Sequence, residues 1–256
     1  MSEPISVERS GQGPAVVLLH PTGLGPAPFG PLVSRLRQRH LVVVPARRGY
    51  AGSEGLRPAT SLDDHLDDLT AALDRLDIGA ATFVGVSGGA TLLLALAIRH
   101  PDRVDGGLAH EPLIGPLAPD LHEAVAAAIA QMLADDTPMA VSTFIAELIG
   151  VEVWNRLSPA WRDAVERHAG ATRTEAPFYP AFAPTTTQLE ALTPCGVVAS
   201  VGARSAPNRH DAAAVLRSLG MATPTIAGAG HLAHLEAPEP FAALVESITH
   251  PAGVAP

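Results

Sequence analysis

The sequence predicts an α/β protein with a mostly parallel sheet and helices on both of its faces. Three observations lead to this fold class. Short apolar runs alternate with helical patterns over residues 1–112. Residues 113–193 show only Ala-rich helical patterns. The alternation of apolar runs and helical patterns resumes after residue 194. A chain of 256 residues can bury a sizeable core as one domain. We therefore expect an α/β core made of residues 1–112 and 194–256, interrupted by a helical insertion at residues 113–193.

Runs of aliphatic and β-branched residues predict the strands. In chain order these runs are residues 5–9, 15–19, 41–44, 82–86, 104–110, 196–201 and 223–227. The first is expected at the edge of the sheet, and the second in its buried interior.

Helical patterns fill the segments between these strands. In the core they cover residues 29–39, 61–76, 90–99, 211–219 and 240–249, and in the insertion they cover residues 121–133, 139–148 and 159–168. Ser61 is expected to cap its helix, and Asp63 and Asp64 in the first turn complement the helix dipole.

Composition excludes several classes of function. The net charge of -9 disfavours nucleic acid as a partner, because phosphates bind basic residues. All 17 basic residues are arginines, so the chain has no lysine for a Schiff base or a phosphate-binding P-loop. No histidine pair has metal-ligand spacing such as H-E-x-x-H. We therefore expect a small-molecule substrate, with no metal and no cofactor.

Location is predicted from the termini and the cysteine. The first residues lack a charged segment followed by an apolar one, and no apolar stretch approaches the ~18 residues of a membrane span. The single cysteine, Cys195, suits a reducing compartment. These features predict a cytoplasmic protein without a membrane partner, whose oligomeric state the sequence does not predict.

The strongest chemical motif is the segment 85–89, which reads G-V-S-G-G and matches G-x-S-x-G. It lies between a predicted strand and a predicted helix, where a sharp turn would expose the serine hydroxyl. Small neighbours let chain segments approach closely around such a turn. Ser87 is therefore the candidate nucleophile. The alternative is a Gly-rich turn without chemistry.

Two further loops follow strands and could complete the chemistry of acyl transfer. His20-Pro21-Thr22-Gly23 follows the strand at 15–19 and could supply one of two N–H donors for an oxyanion. We expect the donors to be the backbone N–H groups of Thr22 and Gly88. A plain turn after a strand is the alternative for the first loop.

The candidate base is His231, which follows the Gly-rich segment 228–230 at the end of a predicted strand. His234 is its competitor three residues later. The Gly-rich lead-in favours His231, and His234 and Glu236 are expected to fix the loop and the helix that follows Pro238.

These three motifs, in this order, resemble the α/β-hydrolase superfamily over nearly the whole chain. The segment 48–53, R-G-Y-A-G-S, is similar to the R-G-x-G-x-S loop of that superfamily. The resemblance implies an eight-stranded, mostly parallel sheet with an active site at the C-terminal strand ends. It also implies that the helical insertion is a cap, or lid, over that site.

The acid departs from the usual pattern of the superfamily, in which a carboxylate follows the strand after the cap in a G-x-x-D motif. Here Ser205 stands at that position, and a serine cannot hold an imidazolium as a carboxylate does. Asp211 lies nearby but is better interpreted as an acid in the first turn of a helix. Glu111 ends the strand at 104–110, one strand along from the nucleophile, which resembles haloalkane dehalogenases and zearalenone-hydrolase-like lactonases. The alternative is a Glu111 that only caps the entry to the insertion. The expected triad is Ser87, His231 and Glu111.

These residues predict a serine hydrolase that cleaves a small, hydrophobic carboxylic ester or lactone through an acyl-enzyme. No substrate-binding residue is predicted by name. Aromatic residues of the insertion could line an apolar pocket or form only the core of the insertion: Phe144, Trp154, Trp161, Phe178, Tyr179 and Phe182.

Three alternatives stay open. The same fold and triad can serve carbon–carbon hydrolysis, perhydrolysis or cyanohydrin cleavage. A non-catalytic ligand receptor could keep the pocket without turnover. A dinucleotide-binding domain would depend on Gly23 and Gly25, but Pro28 stands where the third glycine of G-x-G-x-x-G is needed.

Overall fold

The computed structural model describes residues 4–249. Its seven strands form a sheet of order β1-β3-β2-β4-β5-β6-β7. The strands are β1 Val7–Ser10, β2 Ala15–Leu19, β3 Leu41–Pro45, β4 Ala81–Val86, β5 Val104–His110, β6 Val197–Gly202 and β7 Thr225–Ile226. Strand β1 is antiparallel to β3, and the other neighbours are parallel. The expected α/β class with a mostly parallel sheet is confirmed.

The strand count corrects the expectation of eight. Each of the seven apolar runs forms a strand, whereas the eighth strand followed only from the resemblance and has no run of its own among residues 4–249. Strand β7 is shorter than its run because Pro224 carries no N–H to donate. The carbonyl of Pro224 still accepts from Val201 N at 3.2 Å.

Alternate residues of the strands bury two apolar layers, as the period of two requires. Val16 and Leu18 of β2 pack with Phe29, Leu36 and Phe241 on one face. The neighbouring strand residues belong to the cluster on the opposite face, which includes Val17, Leu19, Leu66, Leu69, Leu73, Leu92 and Leu93. The sheet is therefore covered on both sides by the helices of the core.

The helices of the core are α1 Gly30–Leu36, α2 Leu62–Arg75, α3 Gly88–Arg99, α11 Pro207–Ser218, α12 Ala233–Glu236 and α13 Pro238–Thr249. Ser61 caps α2 as expected, accepting a hydrogen bond from Asp64 N. Helix α11 begins four residues before the predicted start at Asp211, because Pro207 is well suited to the first position of a helix.

Seven helices lie between β5 and β6, at the place of the expected insertion. They are α4 Pro119–Leu133, α5 Pro138–Ile149, α6 Val151–Arg156, α7 Pro159–Arg167, α8 Ala169–Glu175, α9 Phe178–Ala181 and α10 Thr186–Glu190. Only α4, α5 and α7 were predicted. Phe144 and Tyr179 are buried, while Trp154, Trp161, Phe178 and Phe182 are partly buried. Within residues 4–249 no helix has both the length and the apolar character of a membrane span.

The parallel register brings four strand ends together. Leu19 of β2 lies beside Gly85 of β4, Val86 beside His110 of β5, and His110 beside Ser200 of β6. The loops that leave these strands therefore meet at one edge of the sheet, the edge where open α/β sheets bind ligands.

Candidate active site

Ser87 joins β4 to α3 in a strained turn. Its φ of 54° and ψ of −120° lie outside the regions that residues with a Cβ ordinarily occupy. The flanking glycines are required by close approach: a Cβ at Gly85 would lie 2.3 Å from Gly89 O, and one at Gly89 would lie 2.1 Å from Leu19 O. The backbone thus places the hydroxyl of Ser87 at the edge of the sheet where the parallel strands end.

His231 connects Ser87 to Glu111. Its Nε2 lies 2.9 Å from Ser87 Oγ, and its Nδ1 lies 2.7 Å from Glu111 Oε2. Because an ionised carboxylate only accepts, Nδ1 carries the proton and Nε2 is free to accept from the serine hydroxyl. Burial, and then the charge of Arg209, lower the pKa of His231 to about 4. The imidazole is therefore neutral near pH 7, as a general base must be.

Glu111 directly follows β5 and has a left-handed φ of 52°. Its N–H donates to Ser200 O at 3.0 Å, which fixes this turn against β6. The side chain is buried, and Oε1 accepts hydrogen bonds from Gly202 N at 2.9 Å and from Ser205 Oγ. Burial acts to raise the pKa of Glu111, but His110, His231 and Arg209 outweigh it and hold the pKa well below its usual value.

The other acid considered from sequence lies elsewhere. Asp211 is exposed on the second turn of α11, so its interpretation as a first-turn acid was wrong by one turn. Ser205, at the position where the acid was expected, instead donates to the carboxylate of Glu111.

The loop that carries His231 is held by two neighbours. His110 Nε2 lies 3.2 Å from Gly230 O, and Glu236 Oε1 accepts from Leu232 N at 3.0 Å. Glu236 therefore fixes this loop as the sequence predicted. His234 packs instead between the rings of Phe29 and Phe241, with centroids 4.9 and 6.1 Å away.

Thr22 and Gly88 lie beside Ser87 in the same small cavity. Gly88 is the first residue of α3, so its N–H has no partner within the helix. A Cβ at Gly88 would lie 2.5 Å from Thr22 Oγ1 and 2.8 Å from Tyr179 Cζ. The loop after β2 is thus packed directly against the start of α3, where two N–H donors could face one oxygen.

A buried ion pair that the sequence analysis missed ties this loop to the insertion. Arg47 donates to both carboxylate oxygens of Glu175 in α8, each at 2.8 Å, and donates to His20 O at 2.6 Å. Tyr50 donates to Glu175 Oε1 at 2.7 Å and accepts from Gly23 N at 3.0 Å. Burial acts to raise the pKa of Glu175, but Arg47 lowers it well below its usual value.

No sequence signal could have revealed that pair, since its members stand 128 residues apart. Arg48 makes a similar buried pair, donating to both oxygens of Asp68 at 2.6 Å.

The cavity at Ser87 has a volume of about 30 Å³. That is space for about two water molecules. Half of its twelve lining residues have apolar side chains: Leu113, Val125, Ile129, Phe144, Leu148 and Ala176. A larger cleft of about 410 Å³ adjoins it, between α5–α6 and the loops around Ser205 and His231. Leu148 and Arg209 line both spaces.

A mostly parallel sheet, a serine in the strained β4–α3 turn and a histidine after the last strand define the α/β-hydrolase class. The sequence model of the Alpha/beta hydrolase family matches residues 16–244, and the chain belongs to that family.

Comparison with known proteins agrees with this family. The chain is 30% identical over 133 residues to 2-(acetamidomethylene)succinate hydrolase of Mesorhizobium japonicum, covering 51% of this chain and 48% of that protein. It is 36% identical over 105 residues to 2-hydroxymuconate semialdehyde hydrolase of Pseudomonas sp. CF600, covering 39% and 36%. The chain thus matches less than half the length of these curated relatives. The solved carboxylesterase CesB of Bacillus subtilis shares the fold, with a TM-score of 0.80, 18% identity and coverage of 99% and 92%.

Proposed function

We propose that this hydrolase cleaves a small carboxylic ester or lactone through an acyl-enzyme on Ser87. The observation that carries the proposal is the continuous hydrogen-bonded chain from Ser87 through His231 to Glu111. Nucleophile, base and orienting carboxylate are the three parts that serine acyl transfer requires.

In the first half of the reaction, Ser87 Oγ attacks the carbonyl carbon while its proton passes to His231 Nε2. The carbonyl oxygen becomes an oxyanion, which the N–H groups of Thr22 and Gly88 stabilise by roughly 3 kcal/mol each. Glu111 holds the Nδ1 proton and stabilises the imidazolium. The carbon–oxygen bond of the ester then breaks, and the departing alkoxide takes the proton from Nε2.

In the second half, water attacks the acyl carbon and gives its proton to His231. The bond from the acyl carbon to Ser87 Oγ breaks, the serine recovers its proton, and the carboxylic acid leaves. No step requires a group that this chain lacks.

We also propose that the helices between β5 and β6 act as a cap over Ser87, with residues 113–193 as a domain distinct from the core. Val125, Ile129 and Phe144 from α4 and α5 line the same cavity as Ser87. This apolar wall favours a substrate with an apolar body. A cytoplasmic location stays a prediction, based on the single cysteine.

A second candidate is carbon–carbon bond hydrolysis with the same three residues. It is favoured by the 36% identity to a protein named 2-hydroxymuconate semialdehyde hydrolase. Turnover of a panel of esters, lactones and semialdehydes separates the two candidates.

The decisive experiment is the intact mass of the protein after exposure to a small fluorophosphonate, with Ser87→Ala as the matched control. We expect one adduct on the wild type and none on the variant. A folded wild type that forms no adduct would contradict the proposal and favour a ligand receptor.

A further inference from the structure

Arg209, on the first turns of α11, differs from the other buried arginines of residues 4–249. Three arginines there are buried: Arg47, Arg48 and Arg209. Arg47 and Arg48 each use two nitrogens to bind both oxygens of a carboxylate, at 2.6 to 2.8 Å. Arg209 makes one longer contact, from Nε to Glu111 Oε2 at 3.3 Å. Among the described residues, none accepts a hydrogen bond from its two terminal nitrogens.

The terminal nitrogens of Arg209 therefore remain available to a further partner. A guanidinium offers five N–H donors in a fork that matches a carboxylate, and removing it from water without partners is unfavourable. The side chain of Arg209 is only 8% exposed. Glu111 offers Arg209 one contact through Oε2, which also accepts from His231, while Oε1 accepts from Ser205 and Gly202.

The position of Arg209 indicates where a further partner would bind. Arg209 lines both the cavity at Ser87 and the adjoining cleft, and it is the only cation in the wall of the cavity. An anion held by its terminal nitrogens would therefore lie next to the nucleophile. The other charged residues of the cleft wall are Glu147, Glu152, Arg156, Arg204 and Glu236. Of these, Glu236 is paired with Arg204, and Glu147 and Glu152 are exposed to screening solvent.

The charge of Arg209 also opposes the chemistry when it is unbalanced. Acyl transfer creates an imidazolium at His231, and the charge of Arg209 disfavours that cation. A bound carboxylate would cancel this charge, so that binding an anionic substrate makes His231 a stronger base.

We infer that Arg209 binds a free carboxylate of the substrate, so that the enzyme prefers esters or lactones bearing a negative charge near the reacting carbonyl. This inference rests on the proposed function and names its substrate class: an apolar or small body with a carboxylate at one end, such as the half-ester of a dicarboxylic acid.

Binding is tested without turnover on Ser87→Ala. Ligand-observed NMR titration compares the monomethyl esters of malonic, succinic, glutaric and adipic acids with the monomethyl ester amides of the same acids, which have the same shape but no charge. We expect at least one acid to bind about tenfold or more tightly than its amide, since a hydrogen bond to a charged group contributes ~1.5–3 kcal/mol. Adding Arg209→Gln should abolish that ratio, whereas adding Arg156→Gln on the exposed rim of the cleft should retain it. Equal binding of every acid and amide would overturn the inference.

Steady-state kinetics on the protein that retains Ser87 distinguish recognition of the substrate carboxylate from support of the catalytic triad. If Arg209 binds the carboxylate, Arg209→Gln lowers kcat/KM for the best half-ester. This loss should be at least about tenfold larger than the loss of kcat/KM for the corresponding ester amide, which has no charge. Equal losses on both substrates would show that Arg209 only positions Glu111 and would overturn the inference. The fluorophosphonate adduct reports independently on the proposed function, because it requires Ser87 and His231 but no carboxylate.

Discussion

The hydroxyl of Ser205 donates a hydrogen bond to Glu111 Oε1. The residue at the usual position of the acid therefore supports a carboxylate that follows the neighbouring strand. The two loops can meet because His110 of β5 lies beside Ser200 of β6 in parallel register. Gly202 N, at the end of β6, binds the same oxygen at 2.9 Å. The loop after β6 thus binds the candidate acid through hydrogen bonds, although the acid itself follows β5.

Glu111→Gln should reduce kcat by roughly 10³–10⁴-fold, because an amide cannot stabilise the imidazolium of His231. Steady-state kinetics on an ester substrate, with circular dichroism as the check of folding, measure the effect. Asp211→Asn is the matched control, since Asp211 is exposed on α11 and should be silent. A severe loss in the control would mean that the acid has been misassigned.

Glu175→Gln should lower the free energy of unfolding by about 3–5 kcal/mol, because it leaves Arg47 buried without its ionic partner. Urea denaturation measures this change. The exposed pair of Arg99 and Asp63 is the comparison, and Arg99→Gln should cost less than about 1 kcal/mol. Similar losses in both variants would contradict the view that burial decides the value of the pair.

Gly88→Ala should destabilise the protein by about 1–3 kcal/mol and lower kcat, because the new methyl group would collide with Thr22 and Tyr179. Thermal unfolding and kcat are the two readouts. Gly170→Ala in α8 has no neighbour within 4 Å of the added Cβ and should keep both values near those of the wild type. A fully active Gly88→Ala would argue against Gly88 as part of the oxyanion site.

The pH profile of kcat/KM should stay flat from neutral pH down to an acid limb near pH 4. His231 must be neutral to take the serine proton, and burial together with Arg209 lowers its pKa to about 4. Activity is therefore present above this pKa and is lost as the pH falls through it. Arg209→Gln should move the limb upward, because one of the charges that disfavours the imidazolium is gone. A wild-type limb at the ordinary histidine value of ~6.5 would contradict this account.

The elements that the sequence predicted best are those whose own residues decide them. Strands β2 and β5 begin and end where their apolar runs do, and Ser61 caps α2 because its hydroxyl satisfies a local N–H. The G-x-S-x-G turn was also predictable, since close backbone approach excludes any side chain at Gly85 and Gly89.

Elements that depend on distant partners could not be predicted in the same way. Neither the pairing of Arg47 with Glu175 nor the left-handed φ of Glu111 has a local signature. Helix α11 starts before the predicted residue 211, because a helix accepts proline at its first position and Pro207 occupies it. That shift places Arg209 in the first turn of α11, a position that the sequence did not predict.

The buried pair of Arg47 and Glu175 also bears on the kinetics of ligand exchange. The cavity at Ser87 is small, at about 30 Å³, so we expect an ester to enter by movement of its wall, and this pair opposes movement where α8 contacts the loop that carries Arg47. We therefore expect the opening to occur at the other edge, where α5 and α6 border the cleft and Val151 is exposed. Opening of that edge then sets an upper limit on turnover, and kcat should fall as solvent viscosity rises.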